Sequence, residues 1–90
     1  MSREVVYAPG FEEDVERLPR NPVCTKQARK KIAAIIRMPD RIGKQTVTPS
    51  NTRHVEVCSG FYVIFWKYDP ASDIVEFLVF ESHKKAFGLR

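Results

Sequence analysis

The sequence predicts an α+β protein in which a two-helix hairpin packs on one face of a small, mainly antiparallel, twisted sheet. Two observations support this. Residues 53–80 read as three consecutive strands rich in β-branched and aromatic side chains, and two amphipathic segments precede them. With a short apolar segment at the start, the element order is β-α-α-β-β-β. Because 90 residues support only one core, we expect a single domain spanning residues 1–90.

The first strand is predicted at residues 4–8, where the short apolar segment is ended by Pro9 and Gly10. The first helix follows, because an apolar stripe at helical spacing comes next while carboxylates that complement the helix dipole fill its first turn. The stripe is formed by Phe11, Val15 and Leu18, and the acidic residues are Glu12, Glu13 and Asp14.

The second helix is predicted to start at Asn21 and Pro22, since Asn is a good cap and Pro fits the first helical position, although a start as late as Thr25 also fits. Its apolar stripe consists of Cys24, Ala28, Ile32, Ile35 and Ile36, and Pro39 ends it. Only a few polar residues separate the two helices. They should therefore form an antiparallel pair whose joint apolar face lies on the sheet.

The three later strands are predicted at residues 52–58, 61–68 and 74–81. Ser59-Gly60 is short enough for a tight two-residue hairpin, because primed turns need positive φ and Gly supplies it. On the middle strand, Tyr62, Ile64 and Trp66 share one face and Val63 and Phe65 the other. Both faces are apolar, so the helices should cover one face, and a partner or ligand the other.

The two remaining segments have weaker patterns. Residues 40–51 are interpreted as a loop that carries Arg41 and Lys44, although residues 45–48 also fit a short strand before Pro49. The tail after the last strand carries three basic or titratable residues in succession. They are His83, Lys84 and Lys85.

Composition limits the function classes. A hydrophobic fraction of 43% and a charged fraction of 29% are typical of a globular domain, and the net charge of +4 favours acidic or polyanionic partners. Cys24 and Cys58 form no CxxC motif, so we expect two reduced thiols, no metal site and no cofactor. The N-terminal residues lack a signal-like apolar region and no apolar run approaches about 18 residues, which predicts a cytoplasmic protein.

Four features occur in a familiar order: Arg53 on a strand, the Gly60-Phe61-Tyr62 hairpin, an apolar last strand at residues 74–80, and the basic pair His83-Lys84. Together they resemble the RelE/ParE superfamily of toxins from type II toxin–antitoxin systems. The resemblance implies a cognate antitoxin partner. In its RelE branch it implies a ribosome-dependent endoribonuclease that cleaves mRNA by attack of a ribose 2′-OH on the adjacent phosphate. Two positions depart from the pattern, since Val63 replaces a catalytic Arg and Phe87 a terminal Tyr.

Five residues are the candidates for catalysis. His83 can act as acid or base because the ordinary pKa of histidine is about 6.5. Glu56 shares a strand face with His54 and would orient that imidazole; otherwise the two are the solvated face of the strand. Arg53 and Lys84 would stabilise negative charge on the phosphate. The alternative for Arg53, which has the opposite strand parity to His54 and Glu56, is a contact with the loop or the tail.

The candidate binding residues form two groups. Lys85, Lys26, Arg29, Lys30 and Phe87 would contact RNA through phosphates and base stacking; the alternative is a basic tail and the solvated side of a helix. The other group, Phe61, Val63 and Phe65, would dock an antitoxin segment.

Two further functions remain open at this point. The chain could be a ParE-like protein that inhibits DNA gyrase without catalysis, which the replacements at Val63 and Phe87 favour. It could also be a catalytically inactive relative that serves as a binding module or forms a homodimer. Cleaved messages with intact DNA would indicate the ribonuclease, and DNA damage signalling with intact messages the gyrase inhibitor.

Overall fold

A five-stranded mixed sheet in the order β1-β5-β4-β3-β2 forms the centre of the molecule. The computed structural model describes residues 3–46 and 52–88. β1 runs parallel to β5, and every other neighbouring pair is antiparallel, which confirms the predicted fold class. The elements in chain order are β1 (Glu4–Tyr7), α1 (Phe11–Arg17), α2 (Pro22–Arg37), β2 (Lys44–Thr46), β3 (Thr52–Val57), β4 (Tyr62–Asp69), β5 (Ile74–Ser82) and α3 (His83–Phe87).

The helix hairpin follows the local sequence signals closely. The side chain of Asn21 accepts a hydrogen bond of 2.8 Å from the backbone N–H of Val23, and Pro22 is the first residue of α2, as predicted. α1 begins at Phe11 after Gly10, whose φ of 84° suits glycine. The short connection between the helices returns α2 antiparallel to α1.

The core lies between this hairpin and one face of the sheet. It contains Phe11 and Val15 of α1, Ala28, Ile32 and Ile35 of α2, and Val57, Ile64, Trp66, Val75, Phe77 and Phe80 of the sheet. Each large side chain buried in this way contributes roughly 1.5–3 kcal/mol, an upper estimate because unfolded chains are partly compact. Trp66 is fully buried and donates from Nε1 to the carbonyl of Pro39 at 3.0 Å.

The other side of the sheet, which we call the open face, carries a different set of side chains. Glu56 pairs with Val63 and Val63 with Glu81, while His54 pairs with Phe65 and Phe65 with Val79. Directly paired residues of antiparallel strands project to the same face. The open face is therefore built from His54, Glu56, Val63, Phe65, Val79 and Glu81.

The predicted two-residue hairpin between β3 and β4 is wrong. Val57 pairs with Tyr62, so residues 58–61 form a four-residue connection, which we call the β3–β4 turn. The N–H of Gly60 donates to the carbonyl of Val57 at 3.2 Å, and Cys58 and Ser59 have φ values of 58° and 57°. Positive φ at both central residues is the property of a type I′ turn.

Two short elements differ from the predicted loop and tail. Lys44–Thr46 forms β2 and pairs with β3, while the rest of the candidate strand, residues 47–48, lies outside the described part of the chain. After β5 the chain turns into α3, which the sequence did not predict. The hydroxyl of Ser82 caps this helix by accepting from the N–H of Lys85 at 3.1 Å.

The expectation of two reduced thiols is also wrong. Cys24 and Cys58 form a disulfide, with a distance of 5.3 Å between their Cα atoms. Cys24 lies in the first turn of α2 and Cys58 in the β3–β4 turn, so the bond ties the helix hairpin to the sheet. The pairing could not be predicted because it depends on how α2 lies across the end of β3.

Membrane insertion can be assessed for the residues described. No helix in residues 3–46 or 52–88 combines the length and apolar character that crossing a bilayer requires.

Candidate functional site

A cluster of two imidazoles, one carboxylate and two phenyl rings lies where α3 packs on the open face. We call it the histidine cluster; its members are His54, Glu56, Phe65, His83 and Phe87. Nε2 of His83 lies 2.9 Å from Oε2 of Glu56. This is hydrogen-bonding distance, so the carboxylate of β3 holds the imidazole that begins α3.

Phe87 lies at the centre of the cluster. Its ring centroid is 4.6 Å from that of His83, 5.4 Å from that of His54 and 5.9 Å from that of Phe65. Because α3 starts at His83 and ends at Phe87, one short helical turn brings both side chains to the same place. Both imidazoles therefore contact the same phenyl ring.

The electrostatic environment of His54 favours its neutral form. Burial lowers the pKa of His54 below 6.5, and the positive charges of Lys44 and His83 lower it further, while Glu56 acts in the opposite direction. Lys44 is placed there by the pairing of β2 with β3, in which it lies opposite His54. A neutral imidazole at pH 7 can accept a proton.

Glu56 contacts an imidazole that the sequence did not pair with it. The prediction that His54 and Glu56 share a face is confirmed, but the hydrogen-bonded partner of Glu56 is His83. The contact joins β3 to the residue that follows β5. Strand alternation within β3 could not predict this contact, because His83 belongs to a distant segment.

Arg53 lies apart from the histidine cluster. It pairs with Trp66, on the face covered by the helices, and its guanidinium donates to the carbonyls of Ile42 and Gly43 at 3.0 Å each. Its position fits a role in holding the segment before β2. The predicted catalytic role for Arg53 therefore has no geometric support in this conformation.

The predicted RNA-binding cations are divided between two sides of the molecule. Lys26, Arg29 and Lys30 are exposed on α2, which covers the face opposite the cluster, and Arg29 forms an ion pair with Glu16. Lys84 and Lys85 are exposed on α3, on the same helix as His83 and Phe87. Of the five predicted RNA contacts, Lys85 and Phe87 therefore lie at or beside the cluster, next to Lys84, which was predicted to be catalytic. The other three lie on α2.

The predicted antitoxin residues do not form one exposed surface. Phe61 is 73% exposed in the β3–β4 turn, Val63 is completely buried, and Phe65 is half-buried in the histidine cluster. Val63 loses its exposure because it lies in the middle strand, between Glu56 and Glu81, on the face where α3 packs. A docking segment can reach Phe61 directly, but not Val63.

A groove of about 920 Å³ adjoins the cluster. It lies between the α1–α2 connection, the first turn of α2, the β3–β4 turn and the start of α3. Its walls include both cysteines and His83, and its charged residues are Arg20 and Lys84, without a carboxylate among the lining residues.

Sequence reasoning missed three parts of this region. Lys44 was interpreted as a loop residue. The alternative, a short strand at residues 45–48, would have indicated that this segment pairs with another strand. The five residues of α3 are too few for a helical periodicity to be read. The groove depends on contacts between distant segments and left no local signal.

The chemistry available to the cluster is proton transfer at two positions, together with stacking on phenyl rings. Across residues 3–46 and 52–88 the structure brings no three His, Cys, Asp or Glu side chains into an arrangement suited to a metal ion. The functional groups present are imidazoles, a carboxylate and nearby lysines.

The fold matches solved structures of RelE toxins. The isolated E. coli RelE toxin superposes with a TM-score of 0.74 at 10% identity, covering 97% of each chain. The RelBE2 toxin–antitoxin complex of Mycobacterium tuberculosis gives 0.66 at 21% identity, covering 91% of this chain and 99% of the other. The archaeal RelE–RelB complex of Pyrococcus horikoshii gives 0.63 at 10% identity, covering 92% and 97%.

Comparisons at the level of sequence give no match. No protein-family model and no curated protein matches the chain. The fold is therefore RelE-like, and this conclusion comes from the structural superpositions.

Proposed function

We propose that this chain is the toxin of a type II toxin–antitoxin system and cleaves mRNA on the ribosome, in the cytoplasm, with the histidine cluster as its catalytic site. The observation that carries the proposal is the 2.9 Å contact between His83 and Glu56. It holds an imidazole against Phe87 on the open face, where His54 supplies a second one.

The reaction is attack of a ribose 2′-OH on the adjacent phosphorus. The 2′-oxygen forms a bond to phosphorus and the bond from phosphorus to the 5′-oxygen breaks. His54, which is neutral at pH 7, accepts the proton of the 2′-OH, and protonated His83 donates a proton to the departing 5′-oxygen. The products are a 2′,3′-cyclic phosphate and a 5′-hydroxyl end.

The remaining groups position and stabilise the RNA. Glu56 orients the His83 ring, so it is a positioning residue. Lys44 and Lys84 supply positive charge for the phosphorane, as point charges rather than the bidentate clamp that arginine would give. Phe87 and Phe65 offer ring faces on which a base can stack.

An antitoxin protein is the proposed partner. Its support is the match to RelE chains solved together with RelB, including E. coli RelE with an antitoxin peptide at a TM-score of 0.69. The exposed Phe61 and the excess positive charge favour an acidic, amphipathic antitoxin segment. Copurification with the product of the neighbouring gene tests this, and recovery of the free chain alone would contradict it.

The experiment that tests the catalytic proposal compares two double variants in a cleavage assay with ribosomes and a defined message. His54→Gln with His83→Gln removes both imidazoles, and we expect cleavage and growth arrest to be lost. Lys26→Ala with Lys30→Ala removes two exposed charges from the opposite side of the sheet and should leave the cleavage pattern unchanged. Cleavage by the histidine double variant at the wild-type rate would overturn the assignment.

A gyrase inhibitor is the second candidate function. It is favoured by Val63, which is buried and apolar where RelE-type ribonucleases have an arginine, and by Phe87, which cannot transfer a proton. For this function, expression would induce DNA damage signalling while messages stay intact. Growth unaffected by expression would instead indicate an inactive binding protein or a homodimerising relative.

A further inference from the structure

The disulfide between Cys24 and Cys58 lies on the wall of the groove beside the histidine cluster. Cys24 is 7% exposed, whereas Cys58 is half-buried and so is the more exposed residue of the pair. A groove of about 920 Å³ has room for a small thiol to approach it. The bond is therefore placed for exchange with thiols from solution.

The β3–β4 turn connects this disulfide to His83. At one end of the turn, Cys58 is bonded to α2 through Cys24. At the other end, the carbonyl of Phe61 accepts a hydrogen bond of 2.9 Å from the backbone N–H of His83. Breaking or forming the disulfide can therefore change the position of His83, because only the four residues of the β3–β4 turn connect the two.

The backbone of the turn favours this coupling. Cys58 and Ser59 both have positive φ, near 58° and 57°, in a region that residues with a Cβ atom avoid. Such conformations persist when surrounding contacts impose them. The covalent bond to α2 is one such constraint on Cys58, so its removal allows the turn to relax.

We infer that the Cys24–Cys58 pair is a reversible redox switch that takes small-molecule thiols such as glutathione, and that its reduction repositions the β3–β4 turn and His83. This goes beyond the proposed function, because it concerns the conformation of the cluster and does not depend on what the cluster cleaves or binds. In one respect it rests on the proposed function: in the cytoplasm, the compartment proposed above, disulfides are typically catalytic or redox-sensing.

The chemistry is two successive thiol–disulfide exchanges. The thiolate of one glutathione attacks Sγ of Cys58, forms a mixed disulfide and releases Cys24 as a thiolate, which then takes up a proton. The third position of α2 suits this leaving group, because the N–H groups of the first helical turn stabilise a thiolate. A second glutathione attacks the mixed disulfide, which releases Cys58 as a thiol and yields oxidised glutathione.

The test measures the redox equilibrium and the local structure of the wild-type chain. The chain is equilibrated in mixtures of reduced and oxidised glutathione, and the free thiols are trapped and counted. We expect both forms to be populated within the range of mixtures found in cells. A pair that stays fully oxidised, or fully reduced, across that range would overturn the proposal.

Amide hydrogen exchange of the same two forms reports the conformational effect. On reduction, the amides of His83 and Gly60 should exchange at least tenfold faster, since their hydrogen bonds belong to the turn. The amides of Ala8 and Met38, which donate to Phe77 and Ala34 at a distance from the turn, are the internal controls and should not change. Equal acceleration at all four amides, or none at His83, would overturn the proposal.

A double variant distinguishes the effect of losing the disulfide from any other effect of glutathione on the chain. In Cys24→Ser with Cys58→Ser, the amide of His83 should exchange as in the reduced wild type and should not respond to glutathione. Because the wild type is measured in both states, the result does not depend on this variant folding. Activity enters none of these measurements, so their outcome is independent of the ribonuclease proposal.

Discussion

The imidazole of His83 and the carboxylate of Glu56 meet at 2.9 Å although they belong to opposite sides of the middle strand. Glu56 lies on β3, His83 follows the end of β5, and Val63 of β4 lies between those strands. The pair therefore spans β4 on the open face, and its formation requires all three strands to be in register.

Removing the negative charge from this pair should reduce RNA cleavage. Glu56→Gln keeps the size of the side chain but no longer fixes a protonated imidazole, so we expect the single-turnover rate to fall about tenfold to a hundredfold. The acidic limb of its pH–rate profile should also move to lower pH, because the charge of Glu56 raises the pKa of the proposed base, His54, and a merely structural role would not cause this shift. The matched control is Glu81→Gln, on the other side of Val63, and an equal loss in that variant would contradict the prediction.

The stability of the chain should fall between neutral and mildly acidic pH because of His54. Its pKa is lowered in the folded state, mainly by burial, so the unfolded chain binds the proton more readily. The contribution of His54 to the free energy of unfolding is thus complete above about pH 6.5 and is lost as the pH falls through the folded pKa. His54→Gln should flatten the dependence of urea unfolding on pH between about pH 7.5 and pH 5.

Asp73 provides a control for this experiment. A hydrogen bond from Arg3, followed by one from Tyr68, lowers the pKa of the Asp73 carboxyl, so its contribution is lost only as the pH falls below 3.8. Asp73→Asn should leave the slope above pH 5 unchanged. A flattened slope in this variant, with an unchanged slope in His54→Gln, would refute the assignment.

Phe87 should contribute to RNA affinity by stacking. Replacing it with leucine keeps apolar packing under α3 but removes the ring, and loss of one stacked base costs about 1–3 kcal/mol, or roughly 5-fold to 150-fold in Kd. Fluorescence anisotropy with a short single-stranded RNA measures this. Phe61→Leu, an exposed ring outside the cluster, should bind RNA like the wild type, and a similar loss there would indicate nonspecific contacts.

Gly43 should be essential for the geometry around His54. It has a φ of 73°, and a Cβ atom at this position would lie 2.3 Å from the carbonyl oxygen of His54 and 2.9 Å from the ring of Trp66. Gly43→Ala should therefore lower the free energy of unfolding by about 2–4 kcal/mol, from backbone strain together with overpacking. Urea unfolding provides the measurement.

A variant at Gly10 distinguishes the cost of backbone strain from the cost of overpacking. Its φ of 84° is equally unsuited to alanine, but an added Cβ atom would meet nothing within 4 Å. Gly10→Ala should cost about 1 kcal/mol, from strain alone. Equal losses in the two glycine variants would show that the contact with His54 and Trp66 is unimportant.

The fold was predictable because its signals are local. The cap formed by Asn21 and Pro22, the apolar stripe of α1 and the alternation along β4 each depend on residues within one element. The burial of Ile64 and Trp66 on the helix-covered face confirms the parity predicted for the middle strand. The position of β5 between β1 and β4 is the part that no local pattern specifies.

The site was predictable only in part, because its contacts join distant segments. His83, His54 and Glu56 were chosen for their chemistry, and the structure brings them together, but the contact between Glu56 and His83 was not predicted. Arg53 was placed in the site by resemblance, whereas its strand parity directs it to the opposite face. Predicting the disulfide requires the distance between α2 and the β3–β4 turn, which the sequence does not provide.

The place of β5 in the sheet has a consequence for how the molecule is made. β1 precedes the other four strands of the described sheet in the chain, yet among the described strands it pairs with β5, which follows them all. β1 therefore stays without its partner strand in a nascent chain until β5 has emerged, and pairings between such distant segments form late and slowly. Since His83 directly follows β5, the histidine cluster is completed only after β5 has been synthesised, and a product terminated before β5 would lack it.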